Sequence, residues 1–270
     1  MPIYRKISAP NLPTSPPQYS NMWHEQFSNV LRLFFNQLVN RVNAPKPYAS
    51  YYDTASHAPP SVSNASSTTS TGTAGAFTVT LGGVITGTFY VGQAVVGTGI
   101  GVGAFIAAVS GSTLTLTVKN TATVSGGVTA YPIYAIPLNT KAEAYNVDIN
   151  PNGQITVIQS GVYNVQFSVQ FENTDVADQD AQIWLRQNNV DVVDSNGYCS
   201  VPSKHGGVNG HTVVSWNYVL SLAAQDTLQF LWNSSSTAVS LKYYAATTSP
   251  PVPATPSTIL TINWLSDLAI

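Results

Sequence analysis

One cysteine, Cys199, is all that 270 residues provide, so no disulfide can form within the chain and the fold must hold without covalent cross-links. A lone small residue of this kind is expected to be buried or half-buried rather than reactive. Charge is scarce as well: only 8% of residues are Asp, Glu, Lys or Arg, about a third of the ordinary share. The polar surface must therefore come from Ser, Thr, Asn, Gln and Gly, which suits extracellular display or burial in an assembly better than a freely diffusing enzyme. No run of about 18 apolar residues occurs, so no membrane insertion is expected. The opening "MPIYRKISAPNLPTSPPQYS" has no apolar core and no A-x-A pattern, and no secretory leader is expected. Walker, dinucleotide and zinc motifs are missing, and "GTGIGVGAF" lacks the following helix that a phosphate loop requires, so no cofactor is expected.

Hydrophobic residues make up 44% of the chain, enough to fill a real core. The formal charge of −2 hides an asymmetry. Residues 1–50 carry Arg5, Lys6, Arg32, Arg41 and Lys46 against Glu25 alone, whereas residues 131–270 carry ten acids against Lys141, Arg186, Lys204 and Lys242. Five cations spread so thinly, with no interleaved aromatics, exclude a nucleic-acid arm and fit docking onto an acidic protein platform. Pro2, Pro10, Pro13, Pro16 and Pro17 make residues 1–19 an extended docking arm, whose Ile3, Tyr4, Arg5 and Lys6 are the candidate particle contacts. An oligomerisation helix is expected over 20–47, with its helical pattern running from Asn21 to Val42. Ser20 or Asn21 would cap it, Glu25 would sit in the first turn, and Pro45 and Pro47 would end it. Trp23, Phe27, Val30, Phe34 and Leu38 recur at helical spacing, with Leu31 and Val42 widening the stripe.

Beyond the helix the pattern changes to period two. "ASYYDT" reads as a strand, 61–75 as a Pro-, Ser- and Thr-rich linker, and 76–130 as a small β-module carrying Lys119 as its only charge. In "GVYNVQFSVQF", Tyr163, Val165, Phe167, Val169 and Phe171 share one face while Asn164, Gln166, Ser168 and Gln170 share the other. Further strands are expected in "YPIYAIPL", "QITVIQ", "AQIWLRQNN", "TVVSWNYVLSL", "DTLQFLW" and "STILTINWL". Similar strand-like runs on either side of 61–130 make that piece an insertion, since a structureless loop of such length is improbable. The expected fold is mainly β: a jelly-roll sandwich head from 48–60 and 131–270 with the inserted β-module, preceded by an extended arm and one amphipathic helix.

Candidate chemistry is thin. His24, His57, His205 and His211 lie among many serines, but no G-x-S-x-G elbow accompanies them, and His205 and His211 are joined by a loop-like "GGVNG". In "ENTDVADQDAQ", Glu172, Asp175, Asp178 and Asp180 crowd oxygen ligands into one loop; calcium binding and a solvated acidic turn are both open there, with no metal assigned. Glycoside cleavage needs two carboxylates about 5–10 Å apart in a groove, and acids are scarce. Sugar binding without cleavage needs only amides and aromatic platforms such as Trp184, Tyr198, Trp216, Tyr243 and Tyr244, of which Trp184 and Trp216 are expected to be core.

The order "SGVYNVQFSVQF", "IWLRQNN", "WNYVLSLAAQDTLQFLW" and "PSTILTINWL" resembles the globular heads of the complement and tumour necrosis factor type, and resembles still more the terminal domains of tailed-bacteriophage structural proteins, especially those infecting cyanobacteria. The matching residues are Gly161, Tyr163, Phe167 and Ser168, then Trp184, Arg186 and Asn188, then Leu222, Asp226, Leu228, Leu231 and Trp232. Asn189 and Gln225 stand where such heads commonly have glycine, which puts the turn type in question. The Pro-rich opening and "NVLRLFFNQL" also resemble phage virion proteins, so the resemblance spans 1–60 and 131–270. It implies a non-enzymatic virion protein assembled in the host cytoplasm. That protein would be a homotrimeric tail fibre, head fibre, spike or capsid decoration that binds other virion proteins through its arm and touches a host surface glycan. In a trimer, Trp23, Phe27, Val30, Leu31, Phe34 and Leu38 would bury one another; the alternative lays the helix across its own β-domain. A soluble trimeric lectin is the second reading and a polysaccharide depolymerase the third.

Overall fold

The computed structural model describes residues 10–18, 20–42 and 44–268. The chain forms two compact units, 1–46 and 47–270. Ile3, Tyr4, Arg5 and Lys6 lie outside the described residues.

In the first unit, helix α1 spans Asn21–Val42. Ser20 is its cap: the Ser20 hydroxyl accepts the Trp23 amide at 3.4 Å, and the Ser20 carbonyl accepts the His24 amide at 3.0 Å. Glu25 lies beyond the first turn, which holds no acid, so the expected dipole contribution of that residue is absent. Pro10, Pro13 and Pro16 are half-buried while Asn11, Leu12, Thr14 and Ser15 between them are exposed. A period of three is that of an extended proline-type helix presenting one of its faces. The Trp23 indole N–H donates to the Pro13 carbonyl at 3.3 Å, so this part of the arm folds back along the helix.

The second unit is all β, and its sheets are antiparallel. Strand β1 (Tyr48–Asp53) leads into a module built from β2 (Ala65–Gly72), β3 (Thr78–Thr86), β4 (Ala94–Gly97), β5 (Ile106–Ser110), β6 (Thr113–Leu116), β7 (Val124–Ser125) and β8 (Val128–Tyr131). The chain continues through β9 (Tyr134–Ala135), β10 (Thr140–Tyr145), β11 (Val147–Ile149), β12 (Ile155–Val157), β13 (Gly161–Asn173), β14 (Gln179–Gln187), β15 (Val190–Asp191) and β16 (Gly197–Val201). It ends with β17 (Gly210–Leu222), β18 (Thr227–Ser234), β19 (Val239–Leu241), the small hairpin β20 (Thr247–Thr248) and β21 (Pro251–Val252), and β22 (Thr258–Ser266).

One sheet of the head runs β10-β1-β22-β13-β17 and the other β11-β12-β18-β14, with β15 and β16 pairing β14. Partners in each sheet are remote in the chain, β1 with β22 and β12 with β18, as expected of a jelly roll. Tyr163, Val165, Phe167, Val169 and Phe171, each at most 2% exposed, meet Ile183, Leu185, Leu228, Phe230 and Trp232 of the opposite sheet. The Phe167 and Phe230 rings lie 4.1 Å apart at that seam.

Two expectations need correction. The stretch 61–75, expected as a linker, contains β2, which pairs with β3, β7 and β8 and places Ala65 in the module's own core beside Val79, Leu114 and Val128. Its period is broken at Thr68 and Thr69, where the register with β3 shifts, and its inward Ser67 and Ser70 share a hydroxyl hydrogen bond at 2.6 Å, so polar composition concealed a strand. "YPIYAIPL", expected as one strand, is split between two sheets: Tyr131 ends β8 opposite Ala94, whereas Tyr134–Ala135 pairs with Leu231 and Trp232 of β18, and Pro132 lies at the break.

Candidate binding cleft and assembly surfaces

The module sits against the outer face of the β14–β18 sheet. Phe105, the residue before β5, packs into a small cluster with Ala94 and Leu231, bordered by Ile133, Ala135 and Trp184. The Arg186 guanidinium lies 5.8 Å from the Phe105 ring centroid. Gly103, at φ 77°, approaches the Asn189 side chain so closely that a Cβ there would collide with it. Trp184 thus belongs to a module–sheet core and is no exposed sugar platform.

Beside Phe105 a cavity of about 380 Å³ opens between module and head. Its walls come from β5 (Ile106, Ala107), from the loops around Val91 and Pro137, and from Tyr134, with His57 and Asn152 at polar positions. A second chamber of about 70 Å³ shares Phe105, Thr117 and Asn152 with it and is lined by the amides Asn150, Gln154, Asn189 and Gln229. The Asn150 Oδ1 accepts the amides of Asn152 and Gln154, both at 3.0 Å, and so shapes the loop. The Gln229 Nε2 donates to the Asn152 carbonyl at 2.8 Å. Tyr134 donates its hydroxyl to the Ser61 carbonyl at 2.8 Å, and burial pushes its pKa up. Sequence reasoning missed this cleft. Its walls come from segments far apart in the chain, and the amides look like ordinary turn residues.

The candidate oligomerisation residues Trp23, Phe27, Val30, Leu31, Phe34 and Leu38 do fall on one side of α1, and all six are half-buried. Trp23 and Phe27 stack with centroids 5.2 Å apart. Met22, Leu33, Phe35 and Val39 are exposed on the flanks of that stripe.

A second apolar surface was not anticipated. β17 pairs with β13 along 13 residues and lies at the end of its sheet's strand order. Its inward side chains Val214, Trp216, Tyr218 and Leu220 are only half-buried, and outward Val213 and Val219 are 67% and 63% exposed. Trp216 stacks on Phe167 at 5.4 Å and lies over Gly197, where any side chain would meet the indole. Tyr218 donates its hydroxyl to the Ser195 carbonyl at 2.7 Å.

The carboxylates of the acidic loop do not converge on one point. Asp175 accepts from the Val176 amide and the Gln179 side chain, Asp178 from the Ser203 amide, and Asp180 from the Tyr198 hydroxyl. The three carboxylates serve separate partners, and among the described residues no group of three metal-binding side chains occurs. Glu172 points elsewhere, to Lys242 at 2.7 Å and the Tyr244 hydroxyl at 2.8 Å. The Tyr244 hydroxyl also meets His211 Nδ1 at 3.2 Å, which accounts for another of the candidate aromatics. His57 and Ser257 both bind Asp53, at 2.7 Å and 2.9 Å. That hub has serine and histidine on the same carboxylate oxygen and lacks the serine-to-histidine contact of a hydrolase triad. Cys199 is half-buried, and burial raises its thiol pKa.

No family model matches this chain, and no curated protein matches it. Among solved structures, the globular domain of zebrafish complement 1qA protein is similar at 16% identity, covering 50% of this chain and 86% of that one, with a TM-score of 0.30. That likeness is distant and says nothing of ligand or partner.

Proposed function

We propose that this chain is a non-enzymatic structural protein of a bacteriophage particle, a homotrimeric fibre, spike or decoration on tail or head whose β-head meets the host surface. The observation that carries the trimer is the open side of the sandwich at β17. An edge strand of 13 residues with half-exposed Trp216 and Tyr218 and exposed valines is a template for aggregation unless a neighbour covers it. A closed ring of identical subunits covers every such edge and leaves none to propagate. The apolar stripe of α1 supports the same state, because a helix in a protein owes most of its stability to the packing of its apolar face. The virion assignment draws on the low charge, the basic Pro-rich arm and the resemblance of the strand motifs, and with it goes assembly in the host cytoplasm.

Deleting residues 1–19 tests the particle role. Loss of incorporation into particles with an intact head supports it; unchanged function without the arm favours the soluble glycan-binding reading, which the cleft beside Phe105 keeps in contention. Release of reducing ends from host polysaccharide would contradict the non-enzymatic assignment.

A further inference from the structure

We infer that the cleft between the inserted module and the head is a binding site for a neutral sugar. Its volume, about 380 Å³, lies in the range of small-molecule sites and admits about one or two hexose rings. Its position between two packed substructures is where such sites concentrate. The chemistry of the walls selects the ligand. Among the described residues, no Asp, Glu, Lys or Arg lines either chamber, and His57 already has its Nε2 on Asp53. A phosphorylated or carboxylated ligand would enter without a counter-charge, a burial that is strongly disfavoured. A purely apolar ligand would leave the amide chamber unanswered.

The free hydrogen-bonding groups match hydroxyls. The Asn152 carboxamide is exposed and makes no side-chain hydrogen bond among the described residues, because the Gln229 bond goes to its backbone carbonyl. The Gln229 Oε1 and the Asn189 Nδ2 likewise have no protein partner there, although the other atom of each amide is used. Amides carry a donor and an acceptor side by side, which pairs with adjacent hydroxyls that each donate and accept. The apolar wall of Ile106, Ala107 and Pro137 suits the C–H face of a pyranose. This deepens the surface-contact part of the proposed function, yet it stands or falls separately, since solution mass tests the trimer and sugar binding tests the cleft.

The test is ligand-observed NMR and calorimetry on the full chain with glucose, galactose, mannose, N-acetylglucosamine and maltose, alongside glucose 6-phosphate. Ala107→Trp fills the cleft from an exposed position, and Asn152→Ala removes the free amide while sparing the backbone bond to Gln229. The expected result is binding of at least one neutral sugar in the millimolar range or tighter. Asn152→Ala should weaken it roughly fivefold to tenfold, and Ala107→Trp should abolish it with the solution mass unchanged. Absence of any neutral-sugar signal up to about 10 mM would overturn the inference. So would unaltered binding in Ala107→Trp, or equal affinity for glucose 6-phosphate.

Discussion

Gln225 holds a φ of 73° in the turn between β17 and β18, a conformation that glycine adopts freely and a long side chain does not. Its substitution Gln225→Gly should stabilise the chain by about 1 kcal/mol in a denaturant titration; destabilisation would mean that the side chain has a role in the turn. The neighbouring turn solves the same problem differently. Asn188 and Asn189 both take positive φ, and the Asn188 side chain bridges to the Thr227 amide and to Asp226. The two departures from glycine noted in the sequence, Asn189 and Gln225, both keep a positive φ, and the Asn189 Oδ1 accepts from the Gln154 Nε2 at 3.4 Å, a bond that glycine cannot make. Acid sensitivity also belongs at this scale. Burial alone would raise the pKa values of Glu172 and Asp226, but hydrogen bonds outweigh it. Lys242, Asn209 and Tyr244 hold Glu172 below its ordinary 4.5, and Asn188, the Ala223 amide and Gln187 hold Asp226 below 3.8. A depressed carboxylate contributes stability above its unfolded pKa and loses it as pH falls through the folded value. Stability should therefore drop as pH falls below about 4.5, and Glu172→Gln should flatten the upper part of that drop. Equal pH profiles for the two proteins would contradict the role given to Glu172.

Elements with strict alternation were legible and elements without it were not. β13 could be assigned from Tyr163 to Phe171 because a central strand buries one face and the period survives in the letters. β2 could not, because its buried positions are Ala65, Ser67 and Ser70. The edge character of β17 was equally invisible: its sequence alternates like that of a central strand, and only the strand order reveals that among the described residues no second strand pairs with it beyond β13. If a copy of the chain covers it, Val213→Lys with Val219→Lys should lower the solution mass without unfolding the head, since both side chains point outward in the single chain. An unchanged mass would remove β17 from the interface. Phe105→Ala should cost about 3–5 kcal/mol where the module meets the sheet, seen as earlier proteolysis in the module than in the head. Simultaneous loss of both would show that module and head unfold as one.

At the scale of the whole molecule, each of the two units carries an apolar surface that is only partly buried among the described residues. One is the stripe and flanks of α1, and the other is the open β17 side of the head. The candidate stripe could be read from spacing, but the proline face folded beside Trp23 could not, because a repeat of Pro10, Pro13 and Pro16 states a shape without stating what it touches. The central claim is that identical chains close over these surfaces in threes. Light scattering on the full chain and on a chain beginning at Pro45 tests it most directly. The account predicts a trimer for the full chain that weakens or dissociates without the helix, whereas a monomer in both would contradict it.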